Sequence, residues 1–185
     1  MAKSTGKKKT NATIDPAEDA GTPVAAQPVN AVETISRFTD FDIHLFRQGK
    51  HYKLYEKLGS HVMEVNGVTG TYFAVWAPNA SYLAVVGNFN GWNHGSHSVA
   101  PRWDSSGIWE GWVPNIGVGE VYKYYIISQN GQHLEKSDPF ALWCEVAPRT
   151  ASIVWDTWYE WDDAEWLKVR KEKNKLNAPI SVYEV

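Results

Sequence analysis

One cysteine, Cys144, stands in 185 residues, so no disulfide can form within the chain and nothing points to an oxidising compartment. No stretch approaches the roughly 18 apolar residues of a membrane-crossing helix. The opening "MAKSTGKKKTNATIDPAEDAGTPVAAQPVNAVE" lacks the apolar core of a secretory signal. Charge of one sign is also scarce. A formal net charge of −3 leaves no electrostatic footprint for nucleic acid or an anionic membrane. These absences predict a soluble cytoplasmic protein whose partner is neither a nucleic acid nor a membrane.

Residues for bond-making chemistry are few. His94 and His97 in "NHGSHS" have no third ligand at metal-binding spacing and read as surface histidines. Cys144 in "FALWCEV" lies among apolar neighbours and reads as a buried structural thiol. Asp162, Asp163 and Glu165 cluster, but in a charged stretch rather than as two acids flanking a cleft. "STGKKKT" lacks the earlier glycine and the preceding strand of a phosphate-binding loop. No catalytic residue, metal site or cofactor is assigned.

Aromatics are plentiful, with ten tryptophans and 14% Phe, Trp and Tyr, and their spacing sets the expected organisation. Residues 1–36 are poor in aromatics and aperiodic, the composition of a disordered tail. Residues 37–60 read as a helical lead-in, with Asp40 capping a turn that runs to Phe46 and Gly59 ending the segment. Period-two alternation then begins. "TYFAVWAP" places Tyr72, Ala74 and Trp76 on one face and Phe73 and Val75 on the other. "SYLAVVG", "IWEGWVP", "VYKYYIIS" and "TASIVW" follow, and Asn130-Gly131 suits a primed two-residue turn. About seven antiparallel strands without intervening helices predict an all-β fold, an immunoglobulin-like β-sandwich over residues 61–156. Residues 157–178 read as a linker turning helical near Asp163, with Trp158, Trp161 and Trp166 spaced among charges. "PISVYEV" at 179–185 reads as a strand whose neighbours belong to a following domain.

One loop stands apart. In "VVGNFNGWN" an indole follows an apolar strand on a turn of asparagine and glycine, where a large ring forgoes burial. A pyranose needs a flat ring with polar groups at its rim. Trp92, Asn88, Asn90 and the charged Lys123 of an otherwise apolar strand supply those types, while core packing is the competing use of each tryptophan.

"WAPNA", "VVGNFNGWN", "GIWEGWVP", "YKYYI", "KSDPFA", the upstream "LYEKLGSH" and the terminal "APISVYEV" together resemble the amino-terminal part of 1,4-α-glucan branching enzymes, over roughly residues 37–185. The resemblance implies that residues 61–156 are a carbohydrate-binding module. That module is related to the glycogen-binding domain of an energy-sensing kinase subunit. It also implies that "ISVYEV" opens a catalytic (β/α)8 barrel whose active-site residues lie on later strands. Position by position it implies a sugar platform at Trp92, a donor at Lys123, a contact at Asn90 and lesser contacts at Thr150 and Ser152. The kinase-type site has a second tryptophan where this chain has His133 or Leu134, so weak binding is expected. The implied partners are α-1,4-glucans (glycogen, starch, maltooligosaccharides) and the catalytic barrel. The alternatives are a self-standing glycogen-binding targeting module and a debranching relative.

Overall fold

A computed structural model describes residues 32–184. Helix α1 (Asp40–Arg47) is followed by strands β1 (Gly59–Val65), β2 (Val68–Trp76), β3 (Ala80–Gly87), β4 (Ala100–Pro101), β5 (Ile108–Pro114), β6 (Val121–Ser128), β7 (His133–Lys136), β8 (Trp143–Cys144) and β9 (Ser152–Ile153), then helix α2 (Ala164–Lys173). Two antiparallel sheets form. The first has the order β1-β2-β5-β4; the second runs β3-β6-β9-β8, with β7 also on β6. β9 and β7 share one edge of β6, pairing at Val121–Tyr122 and Tyr124–Ile127.

The alternation seen in the sequence is realised on both faces of the first sheet. Phe73, Val75, Trp109 and Val113 point between the sheets and meet Leu83, Val85, Tyr122, Tyr124 and Val154. The opposite face, with Tyr72, Ala74, Ile108 and Trp112, is covered by Phe38, Ile43 and Leu58 of the lead-in. Every residue of β5 except the last is therefore buried. The structure is the expected β-sandwich, with a layer added outside the first sheet.

Several boundaries differ from expectation. The cap of α1 is Thr39, not Asp40: its Oγ1 accepts the Asp42 N–H at 3.2 Å, and the Asp42 carboxylate accepts the Thr39 N–H at 2.8 Å. Against the upward push of burial, that Thr39 N–H together with His51 and Lys57 holds the Asp42 carboxyl well below the usual range. Gly59 opens β1 rather than closing the lead-in. The expected tail lies outside the described residues up to residue 31, but from Val32 the chain is ordered on the body. Glu33 and Trp112 exchange backbone hydrogen bonds of 2.8 and 2.9 Å along the edge of β5 beyond β4. The turn after β6 is not the primed two-residue type, which needs positive φ at its first centre, here Asn130. The Gly131 N–H returns to the Ser128 carbonyl at 2.9 Å, Ser128 N–H pairs with Gln132, and only Gly131 is left-handed, at φ +81°. Cys144 is exposed, lying on β8, a two-residue strand at the edge of its sheet. Residues 179–184 form no strand, having no neighbour to complete a ladder.

The added layer is fastened by a buried polar cluster. Arg102 pairs with Glu110 at 2.5 Å and Asp104 at 2.9 Å, all three side chains being less than a tenth exposed. The other Glu110 oxygen accepts from Ser36 Oγ at 3.0 Å and from the Tyr72 hydroxyl. Removing one member of a buried pair strands its partner, at about 3 to 5 kcal/mol. Glu110→Ala is therefore expected to lower the urea-unfolding free energy by about 3 kcal/mol or more. Arg102→Met on that background should restore part of it. A Glu110→Ala loss below about 1 kcal/mol would show that the cluster does not hold the layer.

Candidate glucan-binding face

The outward side of the second sheet carries the candidate residues. Tyr122 and Tyr124 of β6 point into the core, so alternation turns Lys123, Tyr125 and Ile127 outward. Across β3 their partners are Val86, Ala84 and Tyr82; across β7, Ile127 meets His133 and Tyr125 meets Glu135.

The loop from Asn88 folds back over β3. Gly87 is required at its root, where a Cβ would stand 2.2 Å from the Val121 carbonyl of β6. Gly91 and Trp92 both adopt φ +60°, free for glycine but uncommon and strained for a bulky side chain. Two bonds hold Trp92 there: its backbone N–H to the Gly87 carbonyl at 2.9 Å and its indole N–H to Asn88 Oδ1 at 3.0 Å. Asn90 knots the loop. Its Oδ1 accepts the Gly87 N–H at 3.0 Å, and its Nδ2 lies 3.0 to 3.1 Å from the Val85 carbonyl, Ser96 Oγ and His97 Nδ1. The chain then returns along β3, with Val85 N–H bonded to the His97 carbonyl and Val99 N–H to that of Leu83.

One register row crosses the sheet, Gly87 to Tyr122 to Ser152. It brings the root of the Trp92 loop, Lys123 beside Tyr122, and Thr150 two residues before Ser152 to the same end of β6. Thr150 is exposed and its carbonyl accepts Ser137 Oγ. Ser152 departs from expectation: it is 0% exposed and its Oγ accepts the Asp138 N–H at 2.8 Å. Its place in the row turns it inward with Tyr122, so its side chain does not face a ligand. Asn90 likewise spends its amide on the loop and acts by positioning Trp92.

His133 lies towards the other end, about 13 Å along β6 from Lys123 at 3.3 Å per residue. Its Nδ1 is 2.5 Å from the Tyr125 hydroxyl oxygen. Leu134 is opposite Ile126, on the inward side. The sequence reading did not single out Tyr125, Tyr82 or Glu135, and read His94 only as a surface histidine. The His94 ring stacks on Tyr125 at 3.9 Å and 6° and pairs with Glu135 at 2.8 Å, while Tyr82 Oη donates to the His94 carbonyl. Tyr125 is thereby only 7% exposed. The signal for Tyr125 was present: Lys123 marks the solvent side of β6, and Tyr125 shares it.

Residues 57–141 match the family described as carbohydrate-binding module 48 (isoamylase N-terminal domain). The 1,4-alpha-glucan branching enzyme GlgB of Thermosynechococcus vestitus is 53% identical over 150 residues, covering 80% of this chain and 19% of that one. That of Aquifex aeolicus is 48% identical over 155 residues, covering 83% and 24%. Residues 57–141 form a family 48 carbohydrate-binding module, and four-fifths of the chain is similar to branching enzymes. The chain spans about a fifth of the length of these relatives. The module's folded body runs beyond the matched residues, since Ser152 and Val154 are wholly buried. Among the described residues no helix is long and apolar enough to cross a membrane, and no group of three or more His, Cys, Asp or Glu side chains gathers for a metal.

Because Asn90 supplies four of the module's loop contacts, Asn90→Ala should release the loop, each lost contact costing on the order of 1 kcal/mol. Hydrogen exchange of the Trp92 amide is expected to accelerate at least tenfold. Unchanged protection there would show that the backbone alone shapes the loop.

Proposed function

We propose that the module binds linear α-1,4-glucan on the outward face of the second sheet, with Trp92 as platform, Lys123 as donor and Thr150 at the margin. The observation that supports it is the register row, which gathers a strained indole loop, a cationic side chain and an exposed hydroxyl at one end of β6. A pyranose would lay its C–H face on the indole and turn its hydroxyls to Lys123 and Thr150. His133, tied to Tyr125, stands where the resemblance expects a second indole, so affinity at this face rests on one ring.

We place the module in a cytoplasmic branching enzyme that cuts an α-1,4 chain and rejoins it as an α-1,6 branch. That transfer runs through a covalent glycosyl intermediate on a carboxylate nucleophile, with a second carboxyl as acid and base. Asp162, Asp163 and Glu165 are solvated residues near α2, not a desolvated pair, so these roles fall to the barrel of the longer enzyme. Trp158 and Trp161 are about three-quarters exposed, and with residues 179–184 they are assigned to contact with that barrel. The self-standing targeting module is the weaker reading, because the match to branching enzymes covers four-fifths of the chain.

A stacked indole contributes on the order of 1 to 2 kcal/mol and each polar contact about 1 more, largely offset by association entropy. Titration of the 185-residue chain with maltoheptaose, followed by amide shifts, should give a Kd of roughly 0.1 to several mM. Trp92→Ala should weaken it about tenfold, and tryptophan at position 133 should tighten it. Shifts clustered elsewhere, with Trp92→Ala without effect, would make the loop a packing contact and overturn the reading.

A further inference from the structure

Beside the first sheet an indole is held far out to solvent. Trp103, in the turn between β4 and β5, is 84% exposed. Its neighbours are not: the Arg102 and Asp104 side chains are 4% and 8% exposed. The Arg102 N–H donates to the Ile108 carbonyl at 2.8 Å, and its guanidinium is clamped between Asp104 and Glu110. Asp104 Oδ1 accepts the Ser106 N–H at 3.0 Å, and the Asp104 carbonyl accepts from Arg47 of α1. The turn is fastened on both sides of the indole, so its exposure is imposed by the fold and not by a slack loop.

The ring forms a wall between two shallow clefts. One, of about 510 Å³, runs past Thr34, Thr39 and Asp40; the other, of about 310 Å³, past Asp40, His44 and Arg47. Thr34, Asp40, His44 and Arg47 are all exposed. A lone flat ring bordered by hydroxyl, carboxylate, imidazole and guanidinium matches a pyranose, with its apolar face and hydroxyl edge.

We propose that Trp103 is the platform of a second α-glucan subsite, on the first sheet and independent of Trp92. One sugar ring stacks on the indole with hydroxyls directed to Asp40 and His44. The inference rests on reading the module as glucan-binding. Two platforms on opposite sheets let one module hold two segments of a branched or long glucan, which raises avidity without tightening either site.

The test follows the tryptophan indole N–H signals of the 185-residue chain, assigned with Trp92→Ala and Trp103→Ala, during titration with maltoheptaose. The Trp103 signal should shift and saturate in the millimolar range, in the wild type and equally in Trp92→Ala. In glycogen affinity electrophoresis Trp103→Ala should lower retention at least threefold at an unchanged melting temperature. Movement of Trp92 alone would overturn this subsite and leave the first face standing. Movement of Trp103 alone would uphold it and overturn the first face. Silence of both signals would overturn both.

Discussion

The Glu110 carboxylate fixes the layout of the molecule. It is buried on the outer side of the first sheet, takes Arg102 on one oxygen, and takes Ser36 and the Tyr72 hydroxyl on the other. Burial, and then the adjoining carboxylate, push the Tyr72 phenol far above its ordinary pKa, so it stays a donor. A buried carboxylate is tolerated only when its hydrogen bonds are supplied, and here they come from the lead-in, β2 and the strand before the Trp103 turn. The lead-in is thereby committed to the first sheet, and the outward side of the second sheet is left uncovered by it.

That commitment explains the contrast between the two sheets. β2 and β5 are buried on both faces, and apolar residues occupy both sides of them. On β6 the alternation is asymmetric, with tyrosines inward and a lysine outward. The Trp92 loop then covers β3 and reaches over β6 at Tyr125, where His94 stacks. Strain at Trp92 is sustained by Asn88 and Asn90, whose amides bond within the loop. The asparagines beside the tryptophan serve shape before they serve contact.

How far the sequence could be read follows from the range of each interaction. Strands with strong alternation, β2, β3, β5 and β6, were legible, as was the helical turn near Asp163. β1 was not, because "GSHVMEV" mixes polar and apolar residues and is recruited by pairing with β2. The order from Val32 to Ser36 was hidden, since it depends on Trp112 and Glu110 some 75 positions away. At the candidate site Trp92 and Lys123 were legible from residue type. The inward turn of Ser152 required the register of β9 on β6. The His94–Tyr125 stack required the path of a loop, and Trp103 required knowing that both its neighbours are buried.

The central claim is that glucan meets the outward face of the second sheet at the Trp92 loop. Maltoheptaose carrying a nitroxide at its reducing end, added to the isotope-labelled chain, tests it through paramagnetic broadening of backbone amides. Strong broadening is expected at Trp92, Lys123 and Thr150, and its loss there in Trp92→Ala. Sharp signals from Trp92, Lys123 and Thr150, with broadening confined to the segment around Trp158 and Trp161, would contradict it.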